Sequence, residues 1–336
     1  MYNSSFMSRS QSKRQKTNPT IPNVPTPLPI TLSLPNTIQS SQFPIVPRRE
    51  RVNCLRQFVL SKYQINYLKS GPILDIAGGK GDLSWLFLNK DAILSCVVDP
   101  RRTDHCKLER QAQWCLDNPE EAAIQVLTTH QLMPTLHLRP PFQTPKHLQL
   151  FVDDALVDAL LGIGNNWEQF FHAASIRAKA EEGIKGHHQP KLKDTSSTTT
   201  SSTESSSTTS STTTTNGCIT NALEAKNTLL NTKLICGFHP DEATDTSIDL
   251  ALALKIPFAI CPCCWFPKIN RHRRITTNSG TESSVRTFLD YITFLKQKHS
   301  KIRVDQLPFR SEAKGNGAGL TRNFVVYMLP EDFIET

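Results

Sequence analysis

The segment Gly71–Arg102, reading GPILDIAGGKGDLSWLFLNKDAILSCVVDPRR, constrains this chain more than any other stretch. Ile73, Leu74 and Ile76 make the short apolar run that a buried parallel strand needs. Asp75 lies at the close of that run, and Gly78, Gly79 and Gly81 supply the backbone freedom for a tight strand-to-helix turn. Leu83, Leu86 and Phe87 then recur at helical spacing. A second apolar run, Ile93–Val98, ends in Asp99, where a carboxylate can accept hydrogen bonds from ribose hydroxyls. The spacing predicts a strand, a glycine turn, a helix and a second strand closed by an acid, which is a βαβ unit built to hold a nucleoside.

The identity of that nucleoside follows from charge. A dinucleotide turn requires G-x-G-x-x-G, and Gly79-Lys80-Gly81-Asp82-Leu83-Ser84 offers Ser at the last glycine. Asp75 and Asp82 flank the glycines and would repel a pyrophosphate, so they suit a cationic cofactor. S-adenosylmethionine carries a sulfonium, an ammonium and no phosphate. The stretch resembles motif I of the seven-strand class of S-adenosylmethionine-dependent methyltransferases, acid-x-G-x-G-x-G, matched here by Asp75, Ala77, Gly79 and Gly81 with Ala in place of the first Gly. The resemblance implies a cofactor site made by Asp75, Ala77, Gly78, Gly79, Gly81, Asp99 and, after the third strand, Asp153.

Charge and composition bound the remaining chain. Of the net charge of +8, residues 1–49 contribute +6 through six Lys/Arg and no acid, which leaves +2 for the rest. That segment holds eight prolines and is expected to be a disordered basic Pro/Ser-rich tail. Residues 195–215 are all Ser or Thr except Glu204, so 183–217 is expected to be a disordered insertion within a domain spanning 50–330. No apolar stretch approaches the roughly 20 residues of a membrane span, so no membrane partner is expected. Nine irregularly spaced cysteines suit a reducing compartment. The expected location is intracellular, cytoplasmic or nuclear, with an organelle left open; Lys13-Arg14-Gln15-Lys16 resembles a weak nuclear signal.

Helices are expected over Arg51–Leu68, Leu108–Leu116, Asn165–Glu181, after the HPDEATD loop through Leu254, and over Ser284–His299. Strands are expected at Leu148–Val152 (preferred to Ile124–Leu127), Leu234–Gly237 and Pro257–Cys261, with a closing pair near Ile302–Leu307 and Phe324–Leu329. The alternation predicts an α/β fold: a doubly wound, mainly parallel seven-stranded sheet with helices on both faces, the class I methyltransferase-like arrangement that the resemblance implies.

Ligands of such sheets sit at the carboxyl ends of the strands. His239, after the fourth strand, is a candidate general base, and Asp241 a second catalytic candidate. The plainer reading has Asp241 and Glu242 favouring the start of the next helix. Cys263 and Cys264 follow the fifth strand. Their CxCC spacing with Cys261 lacks the two-residue gap of common zinc knuckles, so no metal is assigned and the pair is read as pocket floor facing substrate. Lys268, Arg271, Arg273 and Arg274 then form a basic cluster suited to RNA phosphates, or else a solvated loop.

The glycine turn DxxGGKGxLS, the VVDPR strand, Gly237-x-His239 and the cysteine pair together resemble one group of methyltransferase domains. That group includes tRNA 2′-O-methyltransferases and uncharacterised relatives, and the likeness spans about residues 50–330. The chain departs from that group at His239-Pro240-Asp241-Glu242, where the group has a Cys-Gly, and it lacks the zinc-finger elements of the tRNA enzymes. The expected function is S-adenosylmethionine-dependent methyl transfer to a nucleophilic O or N, with RNA the favoured substrate. The alternatives are a protein or small-molecule methyltransferase, or a catalytically degenerate methyltransferase-like partner subunit; no protein partner is identified.

Overall fold

The computed structural model describes residues 43–47, 50–129, 135, 137–164, 166–185, 217–277, 280–310 and 322–334. Most of the expected tail and insertion lie outside the described residues. The chain enters through α1 (Arg51–Lys62) and α2 (Ile65–Lys69), then runs β1 (Ile73–Ile76), α3 (Asp82–Asp91), β2 (Ser95–Val98), α4 (Cys106–Asp117) and α5 (Pro119–Thr129). It continues through β3 (Lys146–Leu148), α6 (Asp154–Leu160), α7 (Trp167–Lys185), α8 (Ala222–Leu230) and β4 (Leu234–Phe238). After α9 (Thr244–Ala253) and β5 (Phe258–Cys261) come a hairpin, β6 (Arg274–Thr276) with β7 (Glu282–Ser284), then α10 (Phe288–Gln297), β8 (Arg303–Gln306) and β9 (Phe324–Met328).

Seven strands form one mixed sheet in the order β3-β2-β1-β4-β5-β9-β8. The first five pair in parallel, and β9 runs antiparallel to both β5 and β8, so it alone is reversed. The sheet is therefore α/β in class but mixed, not wholly parallel. Strand alternation sorts the core onto two faces. Leu74, Ile76, Ile235, Phe258, Ile260 and Val326 join apolar residues of α6 to α10, whereas Ile73, Leu234, Cys236, Ala259 and Val325 join α1, α2 and α3.

Several sequence expectations shift. The opening helix breaks at Tyr63 and Gln64, where the backbone is extended. Tyr63 reaches into the sheet there, its hydroxyl 2.8 Å from the Phe258 carbonyl and 2.9 Å from that of Met328. The third strand is Lys146–Leu148, earlier than expected, because the Leu150 N–H turns back to the Leu148 carbonyl at 2.9 Å and ends the ladder. Ile124–Leu127 falls within a helix. The helix expected from Ser284 starts at Phe288, where Thr287 and Asp290 form a reciprocal capping box; Ser284 instead closes the hairpin. Among the described residues no helix is long and apolar enough to cross a membrane.

Candidate active site

The strand-to-helix turn is held from beneath by Asp75. Its carboxylate is 1 % exposed and accepts the Ser84 N–H at 3.3 Å. Burial pushes its pKa up to about 7, with Asp82 and Asp99 adding to the rise. A side chain at Gly78 would lie 2.7 Å from the Asp75 carboxylate, so glycine is required for that close approach. Gly81 opens α3 at φ +81°, and a Cβ there would meet His105 at 2.8 Å and Val97 at 2.9 Å. Ala77, where the resemblance expects glycine, adopts φ +50°, and its N–H donates to the Val98 carbonyl at 2.8 Å.

Asp99 follows β2 and ties this turn to the next. Its carboxylate accepts the Gly79 N–H at 2.8 Å and the Arg101 N–H at 2.9 Å, and the Arg101 guanidinium lies across both oxygens. Asp153, five residues beyond β3, caps α6 by accepting the Leu156 N–H at 3.1 Å and pairs with Arg177.

Above these strand ends lies a cavity of about 730 Å3, within the range of cofactor sites. Its wall includes six carboxylates: Asp99, Asp153, Asp154, Glu181, Asp241 and Glu242. Against them stand Arg101 and Arg177, with Ala77, Phe151, His239 and Phe266 completing the enclosure. Such a wall suits a cationic ligand carrying hydroxyls and apolar surface.

His239 follows β4 at φ +58°, with its N–H on the Cys261 carbonyl at 2.9 Å and its ring stacked on Phe238. Its Nε2 lies 3.0 Å from the Arg322 carbonyl. A carbonyl can only accept, so the neutral ring carries its proton on Nε2 and its lone pair on Nδ1. Burial, aided by Arg51 and Arg322, lowers its pKa. Asp241 accepts from the Cys263 thiol at 2.7 Å, and the Arg322 guanidinium donates to Cys264 Sγ at 3.3 Å. Burial and the Asp241 carboxylate push the Cys263 thiol far up, which opposes a thiolate nucleophile there.

Of the residues singled out in the sequence, Ala77, Asp99, Asp153, His239 and Asp241 share the cavity wall. Asp75, Gly78, Gly79 and Gly81 support it from the turn. Cys263 and Cys264 lie behind Asp241. Arg271, Arg273 and Arg274 line a separate cavity of about 530 Å3. Within that group Arg273 is only 4 % exposed: it pairs with Asp245 at 2.7 Å and lies over the Tyr291 ring, so the outward-facing basic group is Lys268, Arg271 and Arg274.

Sequence reasoning missed Arg101, Arg177 and Glu181 as parts of the wall. Arg101 left a signal, since an Arg two residues after a strand-ending Asp can fold back onto it. Arg177 and Glu181 left none, because they come from α7, where only the apolar stripe was legible. No family model, curated protein or solved structure matches the chain.

Proposed function

We propose that the chain is a methyltransferase that takes its methyl group from S-adenosylmethionine, with RNA the favoured substrate. The observation that carries this reading is the acid-lined cavity at the carboxyl ends of β1, β2 and β4, bordered by Ala77 of the glycine turn, whose Gly79 amide is bound by Asp99. The strand order, with β9 alone reversed, supports the class I methyltransferase-like fold that the resemblance implies.

The residues present fit the cofactor. Six carboxylates against two guanidiniums favour a ligand bearing a sulfonium and an ammonium. Ribose hydroxyls reach Asp99 only once the Arg101 side chain, 61 % exposed but bound to both Asp99 oxygens, swings aside. When bound, S-adenosylmethionine supplies an electrophilic methyl carbon in line with its sulfonium leaving group. Asp99 orients the ribose, and the carboxylate wall holds the positive end. Holding a substrate atom in line supplies most of the acceleration. His239, kept neutral by burial, takes a proton at Nδ1 from an acceptor hydroxyl. Lys268, Arg271 and Arg274 offer exposed charge to phosphates.

Calorimetry on the full chain tests the first step: S-adenosylmethionine or its demethylated product binds and NAD does not. Transfer of labelled methyl to cellular RNA, protein and metabolite fractions then identifies the acceptor, and His239→Ala lowers turnover more than RNA affinity. Tight NAD binding, or no binding of S-adenosylmethionine, overturns the reading. The fork of Arg101 on Asp99 favours a second reading, a degenerate methyltransferase-like partner subunit that binds the cofactor weakly or not at all, which weak or absent binding without any transfer would select.

A further inference from the structure

We propose that Asp241, Cys263 and Cys264 form a binding site for a thiophilic divalent cation of the zinc type, set into the wall of the candidate active site. Their ligand atoms, one carboxylate oxygen and two Sγ, all lie within 4.8 Å of one another. Chain spacing alone does not suggest this group. Cys263 and Cys264 are adjacent, and the third ligand arrives from the loop after β4, 22 residues away in sequence.

The local chemistry suits such an ion. Two sulfur donors select a soft or borderline cation over calcium or magnesium, and a carboxylate completes a ligand set of the kind zinc accepts. Cys263 now shares its thiol proton with the Asp241 carboxylate across 2.7 Å. Binding replaces that proton and the Cys264 thiol proton by the metal and releases both to solvent, as thiol ligation requires. Two thiolates and a carboxylate around a dication leave one negative charge, and the Arg322 guanidinium lies 3.3 Å from Cys264 Sγ to offset it. Arg322 thus stands where outer groups of metal sites orient a ligand. Cys264 is part-exposed, which gives the ion access.

Three protein ligands leave a fourth position of a tetrahedron open, the pattern of catalytic rather than structural zinc. Asp241 lines the large cavity, so the ion would sit at its edge beside His239. The site does not depend on the methyl-transfer reading, and its test needs no turnover.

The full chain, stripped with a chelator and kept reduced, is titrated with Co2+ and followed by absorption. One equivalent should bind with a thiolate-to-metal charge-transfer band and the intense visible bands of tetrahedral cobalt, and Zn2+ should displace it. Cys264→Ser should weaken binding by about a hundredfold or more and Arg322→Ala by about tenfold. Asp241→Asn, nearly unchanged in shape, should act as Cys264→Ser does and stands in for it if that variant fails to fold. Absence of the thiolate band overturns the proposal. So does equal Co2+ affinity in the variant with both Cys263→Ser and Cys264→Ser, or a Cys263–Cys264 disulfide whose reduced form takes no metal.

Discussion

Arg101 lays its guanidinium along the Asp99 carboxylate, with Nε 2.9 Å from Oδ1 and Nη2 3.0 Å from Oδ2. The acid that a nucleoside ribose would use is thus engaged by the chain itself. Asp99→Ala is expected to weaken S-adenosylmethionine binding by about 1–3 kcal/mol, the scale of lost charge-assisted hydrogen bonds. Arg101→Gln should tighten it, because the competing donor is removed while the turn amides remain. Calorimetry separates the two cases. Weaker binding in Arg101→Gln would make the guanidinium a ligand contact and not a competitor.

Asp75 and His105 should give stability opposite dependences on pH. Asp75 has its carboxyl pushed by burial from 3.8 to about 7. As pH rises through that window the unfolded chain releases this proton while the folded chain keeps it, so stability falls and the loss is complete above about 7. His105, whose ring nitrogens are buried without hydrogen-bond partners, is lowered by burial from 6.5 to about 4. Its contribution is full above 6.5 and is lost as pH falls toward about 4, because only the unfolded chain takes the proton. The two slopes oppose each other where the windows overlap. Urea midpoints at about pH 4.5 and about pH 6.5 should therefore rise with pH in Asp75→Asn and fall in His105→Leu, each relative to the parent.

Ala77 holds a left-handed backbone at φ +50°. That region costs an L-residue about 1–2 kcal/mol. Ala77→Gly relieves it, partly offset by greater freedom in the unfolded chain, for a net gain of about 0.5–1 kcal/mol. A β-branched side chain worsens the fit, so Ala77→Val should lower the melting temperature. Equal melting temperatures across all three would mean that the turn relaxes away from positive φ.

The basic cluster should divide into two behaviours. Arg273 is buried against Asp245 and Tyr291, so Arg273→Ala leaves the Asp245 carboxylate without its cation, held only by the Tyr291 hydroxyl, and should cost about 3 kcal/mol of stability. Arg271→Ala with Arg274→Ala removes exposed charge, so it should barely move the melting temperature. If RNA is the substrate, that pair should also weaken RNA binding and flatten its salt dependence. Unchanged RNA affinity would turn attention to a protein or metabolite acceptor.

Much of the frame is legible along the chain because its signals are local. The buried strands β1, β2, β4, β5 and β9 announce themselves as short apolar runs, and the residues of the glycine turn are nearly consecutive. The third strand is less legible: Lys146–Leu148 is only three residues long and carries a lysine and a histidine, so the more apolar stretch after it competes for the assignment. The β6–β7 hairpin is likewise hidden, since its paired residues are mostly polar and exposed.

By itself, the sequence determined the α/β alternation, the glycine turn with Asp75 and Asp99 on either side of it, and the arrival of His239 and the cysteine pair just past strand ends. These follow from apolar periodicity and from conformational needs set within a few residues. Only the tertiary structure decided the distant partners: Arg177 on Asp153, Cys263 on Asp241, and Arg273 withdrawn from the surface to Asp245. A charged side chain accepts any suitable neighbour, and these neighbours come from elements more than 20 residues apart in the chain. Which of them meet depends on how strands and loops converge above the sheet, because desolvation and hydrogen-bond geometry act over a few ångströms of space regardless of distance along the sequence.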